Sequence, residues 1–283
     1  MVERDISGFP LAPNPAQVPF GRGTARKRIE QGPDGTIVRV TTTAPRLLQV
    51  RRCARVTPGM IRVTLAGEEL AGFAGEGPDR RIKMFFPVPG QDRPAVPRAS
   101  TGGPVWPAGE ARPTIRTYTV RRFDSAAGEL DVDFVLHAGH GPAAAWARDA
   151  RPGAWVGVSE PGGHYAPDPT VDYHLVIGDE TALPAVATVL DAIDPARAVT
   201  FLEVADGAEE QALPGAVTWV HRDGRRAGEP LTAAVRAADL PDGRGQAWLS
   251  GESSCVRDLR RHLLEERGFD RRLVYATGYW RDR

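Results

Sequence analysis

From Arg46 onward, apolar and polar positions alternate in short runs: LLQVRRCARV, MIRVTLAG, RIKMFFPV, TIRTYTVRRF and ELDVDFVLHA. Within Leu130–Leu136, Leu130, Val132, Phe134 and Leu136 fall on one face while Asp131 and Asp133 fall on the other. A period of two marks a strand with one buried face. Several such strands punctuated by Gly and Pro predict a small antiparallel barrel, with the Pro- and Gly-rich stretch 87–113 as its longest loop. Past residue 166 the period changes. YHLVIG reads as a short buried strand, and TALPAVATVLDAI places Leu183, Val186, Leu190 and Ile193 at helical spacing. AVTFLEVA, VTWVHR, LTAAVRAADL, QAWLSG, SSCVRDLRRHLLEERG and LVYATG continue as strand, strand, helix, strand, helix and strand. That succession predicts a doubly wound parallel sheet of the α/β class. In the last helix Ser253 or Ser254 is placed to cap the start, and Gly268 to take a left-handed C-terminal position.

Residues 1–45 differ from both halves. They hold prolines at 10, 13, 15, 19, 33 and 45 with little apolar period, so a loosely attached extension or a clasp is expected there. The expected organisation is an extension at 1–45, a β-barrel at 46–165 and an α/β domain at 166–283.

Composition narrows the class without choosing a function. The 283 residues carry 36 Lys+Arg and 36 Asp+Glu, for a net charge of zero, so the basic excess usual in nucleic-acid binders is missing. Hydrophobic residues at 41% and charged residues at 25% exclude wholesale disorder. No apolar run approaches the ~18 residues of a membrane span, so membrane insertion is not expected. Cys53 and Cys255 form no ligand spacing, and the N-terminal MVERDISGFPLAPNPAQ lacks an apolar signal core. A cytoplasmic protein is the expectation. Lys27 and Lys83 are the only lysines beside 34 arginines, a bias that a GC-rich genome would produce.

Four motifs could carry chemistry. In Arg116-Thr117-Tyr118-Thr119-Val120-Arg121, alternation puts Arg116, Tyr118 and Val120 on one side of a strand. A cationic fork, an aromatic plane and a hydroxyl suit a ligand with a phosphate and a planar ring, and an ordinary amphipathic strand reads the same way. In LHAGHGPAAAW, a strand ends at His137, and Pro142 opens an alanine-rich helix after Gly139 and Gly141. Free amides there could cradle a pyrophosphate, or the glycines could simply serve a strand–turn–helix connection. His137 and His140 lack a third ligand in register, so no metal site is expected. GDETALPAV (178–186) ends the first strand of the parallel sheet, where such sheets bind ligands. It lacks a G-x-G-x-x-G signature, and Asp179 and Glu180 would repel a pyrophosphate laid directly on them. The terminal TGYWRDR could cover a planar cofactor with its aromatics, or seal the core with Trp280. GESSC is not a nucleophile elbow, so a hydrolase is not expected. Cys255, early in a helix, fits plain packing.

Taken together and in order, RTYTVR, DFVLHAGHGPAAAWA, PGAWVGVSEPGG, GDETALPA, EV, WLSGE and GYWR resemble the siderophore-interacting protein family of ferric-siderophore reductases, which are ferredoxin-reductase-like flavoproteins. The likeness runs from about Leu47 to Arg281. It implies an FAD-binding antiparallel barrel followed by a nicotinamide-nucleotide-binding α/β domain. It further implies that Arg116 meets an FAD phosphate, that Tyr118 packs on the isoalloxazine, and that Thr119 sits near flavin N5. Thr117, Val120 and Arg121 would continue that surface. His137, Ala138, Gly139, Gly141, Pro142 and Ala143 would hold the pyrophosphate, with Trp146 following in the helix. Asp179, Thr181 and Ala182 would border the cleft, Glu252 would line its far side, and Trp280 would lie against the cofactor. Lys83 and Arg281 would attract an anionic ferric siderophore.

The implied activity is reduction of siderophore-bound Fe(III) through FAD. NADPH or NADH is the implied donor, and a ferredoxin is an alternative because relatives divide between the two. No catalytic acid, base or nucleophile and no protein metal ligand is required. A flavin reductase of the same fold with another acceptor, or a non-enzymatic siderophore carrier, are the competing readings.

Overall fold

The computed structural model describes residues 29–31, 37–39, 44–100, 103–136, 141–163 and 165–282. Two short strands, β1 (Ile29–Gln31) and β2 (Ile37–Arg39), pair antiparallel within the segment expected to be irregular. Pro33 falls between them, so neither strand contains the residue that would remove a ladder donor.

The first large sheet is built from β3 (Arg46–Thr57), β4 (Met60–Ala66), β5 (Arg81–Phe86), β6 (Thr114–Thr119), β7 (Arg122–Asp124), β8 (Glu129–Val135) and, after helix α1 (Pro142–Asp149), β9 (Trp155–Val158). Its order is β6-β5-β9-β3-β4-β8-β7, all antiparallel. The two ends of the sheet meet through consecutive residues. Val120 N–H donates to Arg80 O at 2.8 Å on the β5 side, and Arg121 N–H donates to Asp131 O at 2.9 Å on the β8 side. The segment that runs from β6 into β7 thus bridges β5 and β8 and closes the barrel. Leu48, Val63, Met84, Leu130, Val132, Phe134 and Val156 fill the interior without solvent exposure. Helix α1 plugs one mouth, with Ala143 and Ala147 in that core and the Trp146 ring centroid 5.2 Å from Phe86 and 5.9 Å from Phe134.

The second sheet comprises β10 (Tyr173–Asp179), helix α2 (Leu183–Leu190), β11 (Ala198–Val204), β12 (Val217–His221), helix α3 (Glu229–Ala237), β13 (Gly245–Glu252), helix α4 (Ser253–Glu265) and β14 (Val274–Trp280). Its five strands are all parallel in the order β12-β11-β10-β13-β14. Helix α2 buries Val186, Val189 and Leu190 with Val176, Leu202 and Trp248 on one face, and that cluster also takes in Met60 and Tyr165 from the barrel side. Helices α3 and α4 cover the other face with Leu231, Val235, Leu259 and Leu263. The sheet is doubly wound, as its alternation predicts.

Three expectations are corrected. The cap of α4 is neither serine: Glu252 accepts from Ser254 N–H at 2.7 Å and Cys255 N–H at 2.9 Å, while Ser253 Oγ donates to Trp280 O. Strand β14 runs past the expected LVYATG through Tyr279 and Trp280, so both aromatics are on the sheet. The polar face of β8 is not solvated either. Asp131 and Asp133 are 3% and 5% exposed, roofed by arginines of neighbouring strands. Arg62, directly across the ladder, grips Asp133 with two bonds of 2.7 and 2.8 Å, and Arg122 reaches Asp131 at 2.8 Å. The guanidinium stems do the covering that apolar side chains would otherwise do.

Removing one partner of a buried ion pair strands the other charge, at a cost of about 3–5 kcal/mol, whereas replacing both with apolar residues is often close to neutral. Arg62→Ala is therefore expected to lower unfolding free energy by about 3 kcal/mol in urea titrations. Arg62→Leu with Asp133→Leu should recover most of that loss; equal losses in both variants would mean the pair is not what holds this face.

Candidate functional site

A cleft of about 980 Å³ lies between the barrel and the carboxyl edge of the parallel sheet. This is near the upper end of ligand-pocket sizes and at the place where doubly wound sheets bind ligands. The barrel contributes Arg116, Thr117, Tyr118 and Thr119 from β6, Arg81 from β5, Asp133 and Val135 from β8, and Gly141, Pro142, Ala143 and Ala144 at the start of α1. The α/β side contributes Glu180, Thr181, Pro184, Arg222, Ala227, Tyr279, Trp280, Arg281 and Asp282.

On the barrel wall, Tyr118 packs its ring 4.3 Å from Phe134 and 6.1 Å from Phe86, and burial pushes its phenol well above the ordinary value. It stays neutral and presents an aromatic surface. Arg116 lines the cleft, donates to Ile115 O at 2.9 Å and makes no ion pair among the described residues. Helix α1 begins at Gly141 without a side-chain cap, and Pro142 supplies no N–H in the first turn. Ala143 and Ala144, whose amides follow, line the cleft, and Ala145 N–H donates to Gly141 O at 2.9 Å. A guanidinium with no ion pair among the described residues, the start of a helix and a flat aromatic on one wall are the set that a phosphate joined to a planar ring requires, so these residues fit FAD.

The opposite wall is organised by a buried carboxylate. Asp179, at the end of β10 and 3% exposed, accepts from Thr181 N–H at 2.9 Å, Thr181 Oγ1 at 2.5 Å, Glu252 N–H at 2.8 Å and Trp280 Nε1 at 2.8 Å. Gly251 makes this possible. Its φ is +148°, and a Cβ there would stand 2.6 Å from Asp179 Oδ2. Trp280 is thus pinned at its ring nitrogen by Asp179 and at its carbonyl by Ser253. Its neighbour Tyr279 turns the other way, with its hydroxyl 3.3 Å from Asp79, which burial pushes above the usual carboxylate range. Glu180 grips Arg222 through two bonds of 2.6 Å.

Of the residues singled out from sequence, Arg116, Thr117, Tyr118, Thr119, Gly141, Pro142, Ala143, Thr181, Trp280 and Arg281 share the cleft wall. Others lie elsewhere. Val120 is 2% exposed in the barrel core, and Arg121 spends its amide on barrel closure. Asp179, Ala182 and Glu252 are buried behind the wall. Lys83 is on β5 directly across from Thr117, half-buried, and burial pulls its ammonium below the usual value. His137, Ala138 and Gly139 lie outside the described residues. Arg81, Arg222 and Tyr279 line the cleft without having been singled out. Arg222 follows directly on β12, so the rule that carboxyl ends of strands face the ligand would have found it. Asp79 has no such signal, because its partner Tyr279 lies 200 positions away.

Comparison with known proteins decides the family. The family described as "Siderophore-interacting FAD-binding domain" matches residues 49–165, and "Siderophore-interacting protein" matches residues 171–283. The chain belongs to the siderophore-interacting protein family. It is 34% identical to ferric vibriobactin reductase ViuB of Vibrio cholerae over 84% of this chain and 89% of that protein. It is 33% identical to an NADPH-dependent ferric-chelate reductase of Escherichia coli, over 83% of this chain and 92% of that one. The crystal structure of a siderophore utilization protein from T. fusca superposes with a TM-score of 0.69 at 37% identity, covering 84% of this chain and 92% of that chain. The expected fold, a barrel followed by a doubly wound sheet, is the family's. No helix among the described residues is long and apolar enough to cross a membrane.

Burial first, and the adjoining Glu180 second, push Asp179 from 3.8 up to about 6. Because the folded-state value lies above the free one, ionising Asp179 costs stability, and that cost appears as pH rises through this window. Below it the Trp280 indole faces a neutral acid, and above it a carboxylate. The emission due to Trp280, taken as the parent protein minus Trp280→Phe, is expected to titrate near pH 6. A difference that stays flat between about pH 5 and about pH 8 would overturn the pairing.

Proposed function

We propose that this chain is an FAD-dependent ferric-siderophore reductase acting in the cytoplasm, with NADPH or NADH as donor. The observation that carries the reading is the cleft wall on which Arg116, the ring of Tyr118 and the start of α1 converge, opposite Trp280. A carrier of iron chelates has no use for that constellation. Bound FAD would supply the conversion between a two-electron nicotinamide donor and the single electrons that siderophore-held Fe(III) accepts.

The chain's own part is binding, orientation and electrostatics. Arg116 and the α1 amides would neutralise the pyrophosphate, while Tyr118 gives the ring a flat, dry support backed by Phe134 and Phe86. Trp280, fixed at both ends, would close the other side and exclude water. Arg81, Arg281 and Lys83 would raise the local concentration of an anionic ferric chelate without any side chain displacing its iron ligands. The product Fe(II) is a softer ion than Fe(III) and is held less well by oxygen donors, so reduction favours release. Two free cysteines, Cys53 and Cys255, accord with a reducing compartment.

The reading is tested anaerobically on purified protein loaded with FAD, by following the flavin band on adding NADPH or NADH and then trapping Fe(II) after a ferric siderophore is supplied. Bleaching followed by Fe(II) at two per donor molecule is expected. Bleaching with no Fe(II), while a free flavin or quinone reoxidises the protein, would move the activity to another acceptor. No retained flavin would end the reductase reading, and a band bleached only by a reduced ferredoxin would replace the donor.

Two substitutions separate cofactor from substrate. Arg116→Ala is expected to weaken FAD binding about tenfold or more, the cost of one charge-assisted contact, in a fluorescence titration. Lys83→Ala should raise KM for the ferric siderophore or lower turnover while flavin content stays full. Unchanged kinetics would remove Lys83 from the substrate path.

A further inference from the structure

A parallel α/β sheet that holds a dinucleotide offers its pyrophosphate the free amides at a helix N-terminus, beside the carboxyl ends of the strands. Three helices start at that edge here, and the first amides of two of them are bonded to a buried carboxylate of the chain itself. At α2, Asp179 takes the Thr181 N–H ahead of the helix at 2.9 Å, Pro184 has no N–H, and the amides of Ala185 and Val186 both donate to Ala182 O at 2.9 Å. Glu203 accepts from Gly228 N–H at 2.9 Å and Leu231 N–H at 3.0 Å at α3. Glu252 takes the two α4 amides already described. The three acids are 3%, 0% and 4% exposed, so none can swing aside without leaving a buried vacancy and unpaired amides. Burial works against ionising Glu252, yet the Ser254 hydroxyl and the amides of Cys255, Asp282 and Ser254 outweigh it and hold its pKa below the ordinary value.

A second, independent feature concerns the turn after β11, where an acidic side chain in such sheets commonly takes the adenosine ribose. Here Glu209 is turned onto the barrel, accepting from Gly59 N–H at 2.7 Å and from Thr57 Oγ1, and Asp206 caps its own turn at Ala208 N–H, 2.8 Å. Arg222, the guanidinium best placed to substitute for helix amides, is neutralised by Glu180. The open anion site of the cleft is therefore on the barrel, at α1.

We propose that the α/β domain recognises the donor by its nicotinamide half alone, the adenosine pyrophosphate half making no specific contact. This rests on the reading that a nicotinamide nucleotide reduces the protein. It implies indifference both to the 2′-phosphate and to the whole adenylate. The groups that decide this are Glu203 and Glu252, which take the first amides of α3 and α4, and the Ala182 carbonyl with Pro184 at α2.

The test uses the full chain loaded with FAD. Stopped-flow bleaching under anaerobic conditions would compare NADH, NADPH and reduced nicotinamide mononucleotide, and calorimetry would titrate ADP-ribose onto the same protein. Second-order rate constants within about threefold of one another, with no saturable heat from ADP-ribose, are expected. A mononucleotide slower by about a hundredfold, the loss expected when charge-assisted phosphate contacts disappear, would overturn the proposal. Saturable ADP-ribose binding would overturn it too. If dithionite bleaches the flavin and none of the three nucleotides does, the donor reading fails, and the ADP-ribose titration alone decides between an edge closed to pyrophosphate and one that accepts it.

Discussion

Helices that start at the carboxyl edge of a parallel sheet present amide N–H groups that cannot stay unpaired once buried. How this chain satisfies them determines much of the rest. Asp179 alone joins the end of β10, the entry to α2, the β13–α4 junction and the ring of Trp280. Glu252 anchors α4 and accepts from the amide of Asp282 at 3.4 Å, so the residues just after β14 are held beside the cleft they line. Glu203 does the same for α3 and shares Arg222 with Glu180. The far wall of the cleft is therefore a by-product of capping, because the groups that complete the helices also hold the C-terminal aromatics in place.

The barrel solves a different problem with the opposite chemistry. Its interior is apolar and closed, and its closure depends on two backbone bonds at Val120 and Arg121, immediately after the strand that carries Arg116–Thr119. The strand facing the cleft is thus tied to a rigid seam. On the outside, the acids of β8 are buried under arginines where alternation would place water. With 34 arginines available and two lysines, planar guanidinium groups can bond two oxygens each and lay their stems over the sheet.

The alternation of Leu130–Leu136 and the strand–helix succession after residue 166 were enough to predict both architectures, because burying one face enforces a period that composition cannot disguise. Arg116–Thr119 and Pro142–Ala143 were legible as a strand and a helix start, but local pattern left an ordinary amphipathic strand and a plain connection open, and only the family resemblance drew them to one ligand. What the sequence hid was long-range. Asp131 looks solvent-facing until Arg122 and Arg62 are folded over its strand. Ser253 and Ser254 look like the caps of α4 until Glu252, one residue earlier, is seen to reach forward. Asp79 and Tyr279 meet across 200 positions, and no local pattern announces such a pair.

The two walls of the cleft differ in one respect that bears on how the cycle would run. The barrel wall brings to the cleft the start of α1 and Arg116, a cation with no ion pair among the described residues, so an anionic cofactor held there gains attraction. The α/β wall has spent its amides internally, so any nucleotide binding against it gains only what its ring can find. Tight holding on one side and light holding on the other suit a protein whose flavin must stay while donor and ferric chelate come and go through the same mouth. Binding energy placed on the adenylate of the donor would hold the spent nucleotide as firmly as the fresh one, and would slow its replacement by the second substrate. The buried acids at α3 and α4, with the Ala182 carbonyl at α2, would remove that source of product retention, and the same groups satisfy the helix N-termini.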